Sequence, residues 1–229
     1  MLSSFWHHPR PFLLVILNQP LPDAKLMSRL WHLETCMGRV CADGGANRLP
    51  PDLVPDLICG DMDSVEENGK FPGVKRLRIC SQDTTDFQKC LALEQYKDLE
   101  VLAIGALGGR LDQSMSSICT MHDEYVRNKR NVTLVSVDSV AVLCPANQTS
   151  RISLDPAIEG PSCGILPFGA PRAHVRSLGL RWELREDFEL SFYRQLSTSN
   201  EVVGKQVEIE TVSGDSVVFT ASMKHGISK

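Results

Sequence analysis

Short apolar runs alternate with stretches of helical periodicity from residue 12 to about residue 144 of this 229-residue chain, and beyond that point the helical periodicity stops. Phe12-Leu13-Leu14-Val15-Ile16-Leu17 has the length and composition of a buried strand. Leu26, Leu30, Leu33 and Met37 then follow at i, i+4, i+7 and i+11, which predicts a helix over 23–37. Val40-Cys41-Ala42 and residues 57–60, 75–80, 101–107, 132–137 and 140–144 read as further strands. Helices are expected over 85–97 and from the Arg110-Leu111-Asp112-Gln113 segment to about residue 128. This alternation predicts an α/β fold, with an N-terminal, mostly parallel sheet flanked by helices. The remainder carries short strands at 150–154, 162–168, 174–182, 188–194, 206–212 and 216–222, the last two joined by Ser213-Gly214-Asp215 as a hairpin turn. That pattern predicts a C-terminal all-β sandwich or barrel. The expected domains are 10–145 and 146–229, with the boundary in Pro145–Ser150.

Ligands of open α/β sheets collect at the carboxyl ends of the strands. Four polar clusters stand at such ends or at helix starts. In Gly60-Asp61-Met62-Asp63-Ser64, side chains two apart along a strand point the same way, so Asp61 and Asp63 are expected to project together. Carboxylates held that close need a cation between them or a shared proton, and oxygen ligands suit Mg²⁺. A solvated turn also accounts for the motif. Asp43-Gly44-Gly45-Ala46-Asn47-Arg48 is either a tight turn or a backbone that admits a phosphate, with Asn47 and Arg48 as donors. Gln82 through Asp86 is rich in N-cap residues. Asp86 is there either a first-turn aspartate favoured by the helix dipole or a third metal carboxylate. Arg110 and Asp112 make either a surface ion pair or a phosphate-neutralising arginine with its partner. In the second half, Trp182 suits a core position and Ser197-Thr198-Ser199-Asn200 a loop.

Several function classes are disfavoured. A net charge of −4 argues against a nucleic-acid partner, and no apolar run reaches the ~18–20 residues that span a bilayer. The chain lacks a P-loop, a Gly-x-Gly-x-x-Gly after the first strand and a Gly-x-Ser-x-Gly elbow. Carboxylates, arginines and glycine loops remain, the equipment of Mg²⁺-assisted phosphoryl transfer. Eight cysteines with no Cys-x-x-Cys read as free thiols in a reducing compartment, hence a cytoplasmic protein. Met1–Pro11 reads as a loose leader.

Taken together and in order, these motifs resemble the eukaryotic thiamine pyrophosphokinases. The landmarks are Leu17-Asn18-Gln19-Pro20-Leu21, Cys41 through Leu49, Gly60 through Ser64, Gln82 through Phe87, Gly108 through Gln113, Gly179-Leu180-Arg181-Trp182 and Ser197 through Asn200. The resemblance implies transfer of the pyrophosphoryl group of ATP to the hydroxyl of thiamine, giving thiamine diphosphate and AMP. It implies Mg²⁺ and a homodimer with thiamine at the interface. Asp43, Asp61, Asp63 and Asp86 match the family's acidic metal-and-phosphate cluster. Gly44 lies within the first glycine turn, and Asn47, Arg48, Gln82, Arg110 and Asp112 match nucleotide- or phosphate-contacting positions. Asp61, Asp63, Asp86, Arg110 and Asp112 form the expected catalytic set. Trp182, Ser197, Ser199 and Asn200 match the wall that reaches thiamine. Thr84 departs from the pattern, standing where a His is frequent in the family. A pterin-directed pyrophosphokinase, a non-catalytic thiamine or nucleotide sensor, and a β-rich interaction module are the alternatives.

Overall fold

An unbroken apolar run has no polar face to offer water, and Phe12–Ile16 accordingly forms a fully buried strand, β1, inside a parallel sheet. The computed structural model describes residues 10–66 and 70–224. The chain divides into two compact units, Arg10–Val137 and the part from Asp138 onward. Of the leader expected at Met1–Pro11, only Arg10 and Pro11 fall within the described residues.

In the first unit β1 is followed by α1 (Ala24–Trp31), β2 (Cys36–Ala42), β3 (Leu57–Gly60), β4 (Lys75–Arg78), α2 (Asp86–Leu91), β5 (Glu100–Ile104), α3 (Leu111–Asn128) and β6 (Val132–Val135). The strands lie in the order β6-β5-β1-β2-β3-β4, every neighbouring pair parallel. The expected parallel α/β sheet is therefore present. From β4 the chain returns to the far side of β1, so the crossovers diverge between β1 and β5. Such a switch point opens a crevice at the carboxyl edge of the sheet.

Tertiary pairing shortens the expected helices. α1 stops at Trp31, because Cys36 pairs with Phe12 and draws residues 36–42 into the sheet. Met37, assigned by spacing to a helix face, is an exposed strand residue. α2 opens with a capping box between Thr85 and Gln88 and ends at Leu91, with a separate turn at Glu94–Tyr96. The buried Arg130 guanidinium explains the break. It donates to the carbonyls of Leu99, Leu91 and Tyr96 at 2.7, 2.9 and 2.8 Å.

The second unit contains β7 (Ser139–Cys144), β8 (Thr149–Ser153), β9 (Glu159–Pro167), β10 (Arg172–Leu178), β11 (Glu189–Ser191), β12 (Ser197–Glu201), β13 (Gln206–Gly214) and β14 (Val217–Met223). Two four-stranded arrays result, β12-β9-β14-β7 and β11-β10-β13-β8, each antiparallel. Alternation sets the buried face: Val207, Ile209 and Thr211 of β13 point inward with Ala173, Val175 and Ser177 of β10. β7, expected before a boundary at 145/146, belongs to this unit because it pairs with β14.

Two local expectations are corrected. Ser213-Gly214-Asp215 does not close a hairpin, since β13 pairs with β10 and β8 while β14 pairs with β7 and β9. The turn passes the chain from one sheet to the other. Ser197-Thr198-Ser199-Asn200 is also no loop; it lies in edge strand β12, paired with β9 on either side of an irregularity. Among the described residues no helix is long and apolar enough to cross a membrane. All eight cysteines are unpaired.

Candidate active site

Every strand from β1 to β5 ends in a polar segment at the same edge of the first unit's sheet. Asn18 and Gln19 follow β1, a tight turn at Asp43–Arg48 follows β2, and Asp61–Ser64 follows β3. Gln82–Asp86 lies beyond β4, and Gly105–Asp112 beyond β5. Two glycines make the close approaches possible. A Cβ on Gly45 would stand 2.2 Å from the carbonyl oxygen of Ile16. A Cβ on Gly60 would meet Asp43 Cβ at 2.7 Å and Asp86 Oδ1 at 3.0 Å, so glycine at 60 lets these two aspartates flank the strand end.

Asp43, Asp61 and Asp63 each offer a carboxylate oxygen, all within 4.8 Å of one another. Strand alternation is not what joins Asp61 and Asp63. β3 stops at Gly60, and Met62 takes a left-handed conformation, φ 67°. That residue curls the chain so that Asp63 N–H donates to Asp61 Oδ1 at 3.3 Å. Asp43, itself at φ 39°, accepts the backbone N–H groups of Ser64 and Val65 at 2.9 and 3.1 Å. The loop is thereby pinned to the end of β2.

Asp43 and Asp61 are shifted in opposite directions. Burial lifts Asp43 above the ordinary carboxylate value; the Asp63 carboxyl and the Asp86 charge push the same way, against the pull of the two N–H donors. Asp61 is held below that value, chiefly by the Gln82 amide donating to Oδ2 at 3.2 Å. Asp86 is engaged elsewhere. Its Oδ1 accepts from Lys89 Nζ at 2.9 Å, one turn further along α2. Burial works against the Lys89 charge, but the hydrogen bond and charge of Asp86, with Asp61 and Cys59 beyond, keep its pKa above the usual lysine value.

The remaining rim residues divide by direction. The Asn47 amide donates to the Ser64 carbonyl at 2.8 Å, and its oxygen accepts from the Glu66 N–H, so Asn47 staples the acidic loop. Arg48 Nε donates to Asn18 Oδ1 at 2.9 Å. Gly44 lies against the same Asn18 side chain. Arg110 and Asp112 form an exposed pair, Nε to Oδ1 at 3.1 Å. The Arg110 hydrogen bond holds Asp112 below the usual carboxylate value. Beside them a cleft of about 340 Å³ opens at the switch point. Leu17, Ala42 and Phe87 line it, with Asn18, Asp86 and Asp112 at its polar side.

In the second unit Trp182 is 59% exposed, not part of the core. Its backbone is clamped. Asn200 Oδ1 accepts from Trp182 N–H at 3.2 Å, and Nδ2 donates to Trp182 O at 2.8 Å. Glu183 Oε1 accepts from the N–H groups of Gly179 and Leu180 at 2.7 and 3.0 Å, while Ser177 donates to Oε2. Ser197 is buried beneath Asn200, and Ser199 is exposed at φ 56°.

The structure thus gathers Asp43, Asp61 and Asp63, with Gln82 bonded to Asp61 and Asp86 beside the group. Lys89, Asn18 and Gln19 escaped the reading of the residues as site members. Asn18-Gln19 directly after the first strand was a usable signal. For Lys89 only helical spacing from Asp86 was available, and such pairs are common on helix surfaces.

Fold and rim define an α/β transferase architecture followed by a separate β unit. Family models match both parts: the thiamin pyrophosphokinase catalytic domain over residues 28–134, and the thiamin pyrophosphokinase vitamin B1 binding domain over residues 149–214. Thiamine pyrophosphokinase 3 of Oryza sativa subsp. japonica is 37% identical over 243 residues, covering 93% of this chain and 88% of the relative. Thiamine pyrophosphokinase 2 of Arabidopsis thaliana is 34% identical, covering 93% of this chain and 86% of the relative. The crystal structure of yeast thiamin pyrophosphokinase superposes with a TM-score of 0.81 at 23% identity, covering 97% of this chain and 90% of that one. The chain belongs to the thiamin pyrophosphokinase family.

Proposed function

We propose that this chain transfers the pyrophosphoryl group of ATP to the hydroxyl of thiamine, giving thiamine diphosphate and AMP. The observation that carries the reading is the gathering of Asp43, Asp61 and Asp63 at the sheet's carboxyl edge, their oxygens within 4.8 Å. Three carboxylates at that spacing fit a hard divalent cation, and we assign them to Mg²⁺, with Asp86 as a fourth. When bound, Mg²⁺ would offset phosphate charge and template the in-line displacement. Gln82 orients Asp61, Asn47 holds the loop in register, and Arg48 and Arg110 offset charge on the nucleotide. Asp112 orients Arg110 and stands at the cleft, where it accepts the proton of the attacking hydroxyl. Trp182, Ser197, Ser199 and Asn200 form the thiamine wall in a homodimer, with Asn200 presenting the indole. Eight unpaired thiols support a reducing, cytoplasmic location.

The test is direct. Protein, Mg·ATP and thiamine are incubated and the products separated by chromatography. AMP and thiamine diphosphate in equal amounts support the reading; ADP in their place means transfer of the γ-phosphoryl group and sinks it.

A further inference from the structure

Lysine is among the residue types least often buried, yet the Lys89 side chain is only 3% exposed. Burying an ammonium is costly unless its hydrogen bonds are replaced. The group has three donors, and among the described residues its hydrogen-bond partner is Asp86 Oδ1 alone, at 2.9 Å. Its side chain lines a cleft of about 360 Å³ together with Asp61, Gln82, Thr85 and Asp86. Balancing Asp86 does not call for this arrangement, because an i,i+3 pair on the helix surface balances a carboxylate without desolvating either group. What the fold provides is a fixed positive centre beside the acidic cluster, with donors left over.

We propose that Lys89 is a phosphate-binding residue of the active site, donating to the β- or γ-phosphate oxygens of the nucleotide while Asp86 holds its head in place. The inference rests on the assignment of ATP to this rim. A triad of carboxylates repels a polyphosphate, and a bound divalent cation offsets only part of that repulsion. A buried ammonium adds a second positive centre at a defined point and loses little entropy on binding. It also separates ligands by length, since AMP has no β- or γ-phosphate to offer it.

The experiment compares full-length wild-type protein with Lys89→Met, which keeps the alkyl bulk and removes the charge. Calorimetry measures Mg·ATP, inorganic pyrophosphate with Mg²⁺, and AMP. Affinity for ATP and for pyrophosphate is expected to fall about ten- to hundredfold, the effect of a charge-assisted hydrogen bond, with AMP within about twofold of wild type. Unchanged ATP affinity, or an equal fall for ATP and AMP, overturns the proposal. Thermal melts verify folding, and Lys89→Gln, measured with the same ligands, serves where the Met variant does not fold. Wild-type protein that binds neither ATP nor pyrophosphate overturns the functional reading itself. Wild-type binding that the variants leave unchanged overturns only the role of Lys89.

Discussion

The Asp43 carboxylate accepts the backbone N–H of Ser64 at 2.9 Å, across 21 residues of sequence. With the neighbouring bond from Val65, this ties the end of β2 to the loop after β3. Asp43 is therefore a strut as well as a member of the acidic cluster, and it is 2% exposed. Asp61 and Asp63 reach further into solvent. Equivalent in sequence, these aspartates divide the work between holding the loop and facing a ligand.

Substitutions should separate the two kinds of work. Asp43→Ala leaves two backbone N–H groups without acceptors, at a cost of about 1–3 kcal/mol, or roughly 2–12 °C in Tm for a chain of this size. Asp61→Asn keeps the side chain's planar shape and size and, at this solvent-facing position, should change stability by less than about 1 kcal/mol. It should nonetheless lower turnover by a factor on the order of 10² or more, because the charge is what the cation and phosphates read. Thermal melts and an AMP-release assay measure the pair. Near-normal turnover of Asp61→Asn at saturating Mg²⁺ rules out its assigned role.

The pH dependence should follow Asp43. Its pKa in the folded chain lies above the ordinary carboxylate value, so the folded state takes up that proton first. Its ionisation therefore opposes folding as pH rises through the raised value, and its protonation favours folding on the way back down. A bound divalent cation reverses this preference. The Tm gain from added Mg²⁺ should accordingly shrink on acidification before ordinary carboxylates titrate, and Asp43→Asn should abolish the shift. Asp61 runs the other way: Gln82 holds it below the ordinary value, and its small contribution is lost as pH falls through the lowered pKa. Melts from pH 4 to 8, with and without Mg²⁺, give the answer.

Asn200→Ala should loosen Trp182. Two hydrogen bonds to its backbone disappear, costing about 1–3 kcal/mol. Steady-state kinetics should show KM for thiamine raised several-fold while KM for ATP stays put. A matching rise in both constants counts against the clamp.

Arg130 supports the first unit at the C-terminal end of α2. Its guanidinium serves three carbonyls and lies 3.5 Å from Glu124. Arg130→Met should cost on the order of 3 kcal/mol or more, since it leaves buried acceptors and a partly buried carboxylate unpaired. Urea denaturation measures the loss, and a change under about 1 kcal/mol contradicts the capping role.

Much of this was legible in the residues themselves. Apolar runs of strand length and the alternation with helical spacing declare the parallel sheet, because burial on both faces demands such runs. The motifs at the strand ends declare the acidic rim and the family. Helix ends, the sheet switch at Gly214 and the edge strand of Ser197–Glu201 were not legible: pairing partners distant in sequence decide them, overriding local preference.

Order and chemistry, then, were properties of the chain: which segments are strands, which carboxylates stand at their ends, and which family shares them. Direction was decided only by the tertiary structure. Asn47 and Asn200 turn inward to hold backbone, Trp182 turns outward, and Met62 in a left-handed turn brings Asp61 and Asp63 together. Lys89 becomes a buried cation only because α2 packs against β3. A side chain's orientation and solvation depend on neighbours brought in from elsewhere in the chain, and no local spacing encodes them.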